Sequence, residues 1–223
     1  TEAVRDGITV NLVYDGRAAR VMLDNDKVKE IEKYYAQCEQ EGANEYQIEE
    51  SQKAVAKMEA IIGDPDILRA VAEDFINHYE TRVREGATVA GKALFVCANR
   101  YIAYDFYKIV TELRPEWAEK KICSDDVILD DKDKKELKPM EKIKLVMTRN
   151  KDDEKDLFDM LGTKDDRKEF DRQFKNPKSN FKIAIVVDMW LTGFDVPSLA
   201  TMYVYKPMAG HNLMQAIARV NRV

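Results

Sequence analysis

Hydrophobic and polar positions along the chain change rhythm several times, and each change predicts an element. Ile8, Val10, Leu12 and Tyr14 alternate with polar or turn-side neighbours as a strand would, Asp15-Gly16 follows, and alternation resumes from Ala18 to Leu23. Asp-Gly between two such runs predicts a β-hairpin. Three helical stretches come next. Residues 26–41 place Val28, Ile31, Tyr34, Tyr35 and Cys38 on one side, and residues 48–62 do the same with Val55, Met58, Ile61 and Ile62. Pro65 can open the third, which runs to about Glu85 with Leu68, Val71, Phe75, Ile76 and Tyr79 at helical spacing. Aromatic residues in that rhythm are expected in a core.

After Gly86 the pattern becomes strand, helix, strand. Residues 92–97 read as a buried strand and 100–113 as a helix, while 121–123 has the length of a short strand. Residues 125–138 are dense in charge and predict a solvated surface excursion. Strand character returns at 142–148, an amphipathic helix at 165–175 puts Phe170 and Phe174 one turn apart, and 182–187 is a β-branched run. Residues 200–205 give a last strand, and the chain is helical from Asn212 onward. Strands alternating with helices predict an α/β fold, a parallel sheet with flanking helices on both faces. The hairpin and helical connector would occupy residues 1–86 and the sheet domain 87–223.

Gly86-Ala87-Thr88-Val89-Ala90-Gly91-Lys92 has the spacing of a phosphate-binding loop. That loop works between a strand and a following helix, whose amino end cradles phosphate. Here a helix precedes it and a strand follows, and Ala93 stands where a hydroxyl should hold magnesium. The segment therefore reads as a helix-to-strand connection, and the chain is expected to lack a triphosphate cradle of its own.

Composition narrows the classes without choosing among them. The 223 residues are 45% hydrophobic and 35% charged, as in an ordinary globular protein. No apolar run approaches the ~18 residues of a membrane span, and no secretory leader is evident. Thr1 in place of an initiator methionine fits an excised fragment or a processed product. The net charge of −5 argues against broad wrapping of nucleic acid, though not against a few phosphate contacts. Cys38, Cys97 and Cys123 are odd in number and far apart, which fits a reduced, cytoplasmic setting, with Cys97 a buried thiol. With only His78 and His211 beside them, and no CxxC pair, no metal site is expected.

The chemistry gathers in the last forty-odd residues. Val186 to Pro197 places a loop after a buried strand, where ligands bind in an open parallel sheet. Gly193 allows a tight turn and a close backbone approach. Thr192 and the local amides can meet a phosphate, and Asp195 can accept from a ribose hydroxyl. A capped glycine turn would account for the same residues. Further on, Gln215, Arg219 and Arg222 fall on one helix face. They fit either a surface arginine pair lying over the core or a guanidinium pair aimed at a nucleotide γ-phosphate.

Taken together these segments resemble the second motor domain of superfamily 2 helicases. Gln215, Arg219 and Arg222 match the family's motif VI, Q/H-x-x-G-R-x-x-R, with Ala218 in place of the usual glycine. Thr192-Gly193 and Asp195 match motif V, and Ala93 to Cys97 with Asn99-Arg100 is similar to motif IV. Arg167, Phe170 and Phe174 look like the helix leading into motif V. The longer phrases from Met189 to Pro197 and from Leu213 to Arg222, with Ala3 to Gly7 at the start, resemble the R subunit of type I restriction enzymes.

The resemblance implies a RecA-like domain that contributes Arg222 as arginine finger and Arg219 as its partner, with Gln215, Gly193 and Asp195 at the nucleotide and Asn99, Arg100 and Thr192 at the DNA. It implies ATP and Mg2+ in the whole subunit, held against a preceding RecA-like domain of the same chain, and none bound to this stretch alone. It further implies double-stranded DNA and the modification and specificity subunits as partners. A Walker A loop, a DEAD-type box and a nuclease motif have no counterparts here. Two alternatives are the second motor domain of another superfamily 2 DNA or RNA helicase, and a non-catalytic RecA-like scaffold. Paired arginines at finger spacing speak against the scaffold.

Overall fold

The computed structural model describes residues 59–86, 91–124, 127–190, 196 and 198–206. The expected hairpin, the 26–41 helix, most of the 48–62 helix and the helix from Asn212 lie outside them, as do Cys38 and His211.

Helix α1 (Pro65–Arg84) starts where the sequence puts its proline. The Asp64 carboxylate caps it, accepting from the backbone N–H of Asp66 and Ile67 at 3.1 and 3.4 Å. Strand β1 (Lys92–Cys97) follows and is buried along its whole length. Helix α2 (Arg100–Leu113) buries Ile102, Ala103, Phe106 and Val110 along one stripe. A 3-10 turn at Pro115–Ala118 sets Trp117 into the core. Then come α3 (Asp131–Glu136), β2 (Ile143–Leu145), α4 (Lys155–Leu161), α5 (Lys164–Lys175), β3 (Ile183–Val186) and β4 (Leu199–Tyr205).

The four strands form one sheet in the order β2-β3-β1-β4, and every pairing is parallel. The architecture is α/β with helices flanking an all-parallel sheet, compatible with a RecA-like domain. Alternation along β1 divides the core in two. Ala93, Phe95 and Cys97 face a cluster built with α1, α2 and Trp117, while Leu94 and Val96 face a second cluster with Phe174, Phe181 and Trp190. Phe95 stacks on Phe106 at 3.9 Å between centroids and meets Phe75 edge-on at 5.0 Å. Helix α1, although it precedes residue 87, thus belongs to the packing of the sheet.

Several elements depart from the sequence reading. Residues 121–123 make only an isolated bridge, Lys121 with Met140. Strand β2 is three residues long rather than seven, and α4 had no clear periodic signal. The charged stretch before Lys138 is more than a solvated excursion. It contains α3 with a capping box between Asp130 and Asp133, and Asp133 is buried and paired with Lys178. Gln173, itself buried, donates to the Glu136 carbonyl at 2.9 Å and accepts from the Lys138 N–H at 3.3 Å. Burial alone would raise the Glu169 carboxyl, but hydrogen bonds from Lys138, Gln173 and Arg172 outweigh it and hold it at about 2. A run of charges becomes structure here because partners on α5 and just beyond it meet it.

The segment with phosphate-loop spacing lies between α1 and β1, helix first. Lys92 is fully buried, its amino group donating to the Phe181 carbonyl and lying 5.1 Å from the Phe174 ring centroid. A phosphate loop would leave that ammonium facing a ligand; this one is enclosed by the second core cluster.

Candidate functional site

In a parallel sheet all strands end at the same side, so the loops after them share one edge. Asn99 and Arg100 follow β1, residues 148–154 follow β2, Asp188 to Trp190 follow β3, and Lys206 follows β4. Because β1 lies between β3 and β4, the Asn99-Arg100 turn sits between the Asp188 loop and Lys206.

Of the eight site residues inferred from the sequence, Asn99 and Arg100 are described; Thr192, Gly193, Asp195, Gln215, Arg219 and Arg222 lie outside the described residues. Asn99 is the N-cap of α2. Its Oδ1 accepts from the Ile102 N–H at 3.0 Å, and its Nδ2 donates to Glu59 Oε2 at 3.2 Å. The Arg100 guanidinium donates to the Thr148 carbonyl at 3.2 Å and to Asp153 Oδ2 at 2.6 Å. Its Nε is buried and has no hydrogen-bond partner among the described residues. Arg149 beside it also turns inward, donating to the Phe158 carbonyl at 2.7 Å with its guanidinium over the Phe158 ring.

The residues on either side of 191–195 are anchored in the second core cluster. Trp190 and Val196 are buried there, and Trp190 stacks on Phe174 at 5.2 Å. Trp190 adopts φ +66°, a left-handed conformation rare for so bulky a residue. Strain of that kind persists only where surrounding packing imposes it, and the stack supplies the packing. Lys206 pairs with Asp188 at 2.9 Å and so joins the ends of β3 and β4. Sequence reasoning missed Asp153 and Lys206 as parts of this edge, and included Trp190 only within the Val186 to Pro197 loop, with no role of its own. Their loops have no periodicity to read; only position after a strand could have drawn attention to them. Among the described residues no cluster suited to a metal ion is present, and no helix is long and apolar enough to cross a membrane.

A family model described as type I restriction enzyme subunit R domain 3 matches residues 89–223, more than half of the chain. The chain belongs to the type I restriction enzyme R subunit family. The HindI endonuclease subunit of Haemophilus influenzae is 36% identical over 222 residues, which cover 100% of this chain and 18% of that protein. The putative MjaIXP endonuclease subunit of Methanocaldococcus jannaschii is 37% identical over 224 residues, covering 100% of this chain and 19% of that protein. A shorter match of 59 residues at 48% identity reaches the SauCOLORF180P endonuclease subunit of Staphylococcus aureus, covering 24% of this chain and 6% of that protein. The chain thus spans under a fifth of the length of the two R-subunit relatives matched end to end.

Proposed function

We propose that this stretch is the second motor domain of an ATP-dependent double-stranded DNA translocase within a type I restriction endonuclease R subunit. The observation that most supports the reading is where the family match falls. Residues 89–223 include the parallel sheet and, in sequence, the segments 189–197 and 213–222 that resemble motifs V and VI. In the whole subunit this edge would face a preceding RecA-like domain of the same chain. Double-stranded DNA and the modification and specificity subunits would be its partners, in the cytoplasm.

ATP and Mg2+ would lie between the two motor domains. The lysine at phosphate-loop spacing is enclosed by core residues. The groups here whose chemistry fits a nucleotide phosphate are the guanidiniums of Arg219 and Arg222, with Gln215, Gly193 and Asp195 beside the nucleotide. Bound there, the nucleotide would supply the energy of phosphoryl transfer, while this chain would orient and neutralise charge.

Two outcomes follow. The 223-residue chain by itself is expected to show no Mg2+-dependent ATP turnover, because one wall of the site cannot position water, metal and phosphate together; turnover by the purified chain would overturn that. In the full subunit, Arg100→Ala is expected to reduce DNA-stimulated ATPase more than basal ATPase. Equal loss of both would place Arg100 in folding or nucleotide binding instead of the DNA track.

A further inference from the structure

The sequence suggests that Arg100 reaches DNA itself; its surroundings favour another role. The guanidinium lies 2.5 Å from Asp153 Oδ1, with side-chain exposures of 22% for Arg100 and 3% for Asp153. Asp153 Oδ2 also accepts from the Asn150 N–H at 2.7 Å, closing the 150–153 turn. With the bond to the Thr148 carbonyl, these contacts tie together the start of α2, the exit from β2 and the approach to α4.

To touch a phosphate, Arg100 would have to leave a carboxylate almost wholly removed from water. Stranding a buried charge is strongly destabilising, whereas one solvent-exposed ion pair, as to a single phosphate, contributes little stabilisation. The side chains of this turn that do face outward are Thr148, Asn150, Lys151 and Asp152.

We propose that the Arg100–Asp153 pair is a strut: it holds the 148–153 turn at the carboxyl edge, and the turn, through Lys151, meets the phosphate backbone of the duplex. Asp153 is then a positioning residue and Lys151 a contact residue. The inference rests on the DNA-translocase reading above.

The test uses the full-length subunit and follows ATPase against DNA concentration at several salt concentrations, with thermal melting alongside. Asp153→Asn keeps the shape of the turn but weakens the pair. It is expected to raise the half-saturating DNA concentration several-fold, and Arg100→Ala is expected to do the same. The double variant should be no worse than the more severe single one, because both break one strut. Lys151→Ala, on an exposed turn, should leave the melt unchanged and flatten the log–log salt slope by about one unit. A normal DNA response in Asp153→Asn beside a lost one in Arg100→Ala would overturn the strut, because the guanidinium would then touch DNA directly. An unchanged salt slope in Lys151→Ala would overturn the contact, including in the event that Asp153→Asn fails to fold. A wild-type subunit whose ATPase ignores DNA would defeat the translocase reading itself, an outcome distinct from either.

Discussion

Arg222→Lys in the full-length subunit is expected to lower ATP turnover by ~10³–10⁵, the scale on which an arginine finger acts. A finger meets charge that spreads over the transferring phosphoryl group in the transition state, so its loss should appear in kcat far more than in nucleotide affinity. Lysine keeps the charge and loses the planar fork that reaches two oxygens at once, so Arg222→Lys should fail nearly as badly as Arg222→Ala. Arg219→Ala should act in the same direction on the same group, and the two losses should not add in full. Melting of the variant subunit should stay close to wild type, since a guanidinium facing a cleft contributes little packing. Near-normal turnover would remove Arg222 from the mechanism. A lowered melt together with lost activity would support the other reading of the pair, a brace lying over the terminal helix.

The parts of the fold legible in the sequence are those in which one periodicity dominates. Helix α1 shows its proline and a stripe of apolar and aromatic residues in the sequence, and both determine its course. Strands β1 and β3 are short runs of apolar residues buried on both faces, the pattern a central parallel strand imposes. Helix α4 and the shortness of β2 were illegible because tertiary contacts decide them. Leu157 and Leu161 are buried in the first cluster, while the flanking residues are charged and carry no rhythm. The same holds at the candidate site. Asn99 and Arg100 were singled out by their place after a strand in a segment similar to motif IV, but Asp153 is 53 residues from Arg100 and no local pattern joins them. Lys92 makes the converse point. Its spacing resembles a phosphate loop, and only the Phe174 and Phe181 partners, 82 and 89 residues on, reveal it as an interior group.

That interior lysine should dominate how stability depends on pH. Burial, aided by the nearby charge of Lys182, holds the Lys92 amino group down at about 6 against an ordinary 10.5. Below about pH 6 the amino group is protonated in both the folded and the unfolded chain. Between about pH 6 and 10.5 the unfolded chain carries a proton that the folded one has lost, so stability rises with pH, by roughly 1 kcal/mol per unit from this group alone. Lys142 and Lys144 are also lowered, first by burial, and push the same way. At higher pH the sign reverses: burial raises Cys97, Tyr79 and Tyr205, and pushes Tyr107 up to about 12, so the unfolded chain ionises these groups first. The 223-residue chain should therefore be most stable at mildly alkaline pH. Lys92→Met keeps nearly the same volume and removes the titration. It also leaves the Phe181 carbonyl without its donor, a loss of about 1–3 kcal/mol. The variant should be the more stable protein near about pH 6.5 and the less stable one near about pH 10, with the two curves crossing between. Denaturant titrations of both proteins across that range read the crossing directly, and parallel curves would show that Lys92 does not titrate between folded and unfolded states as its burial requires.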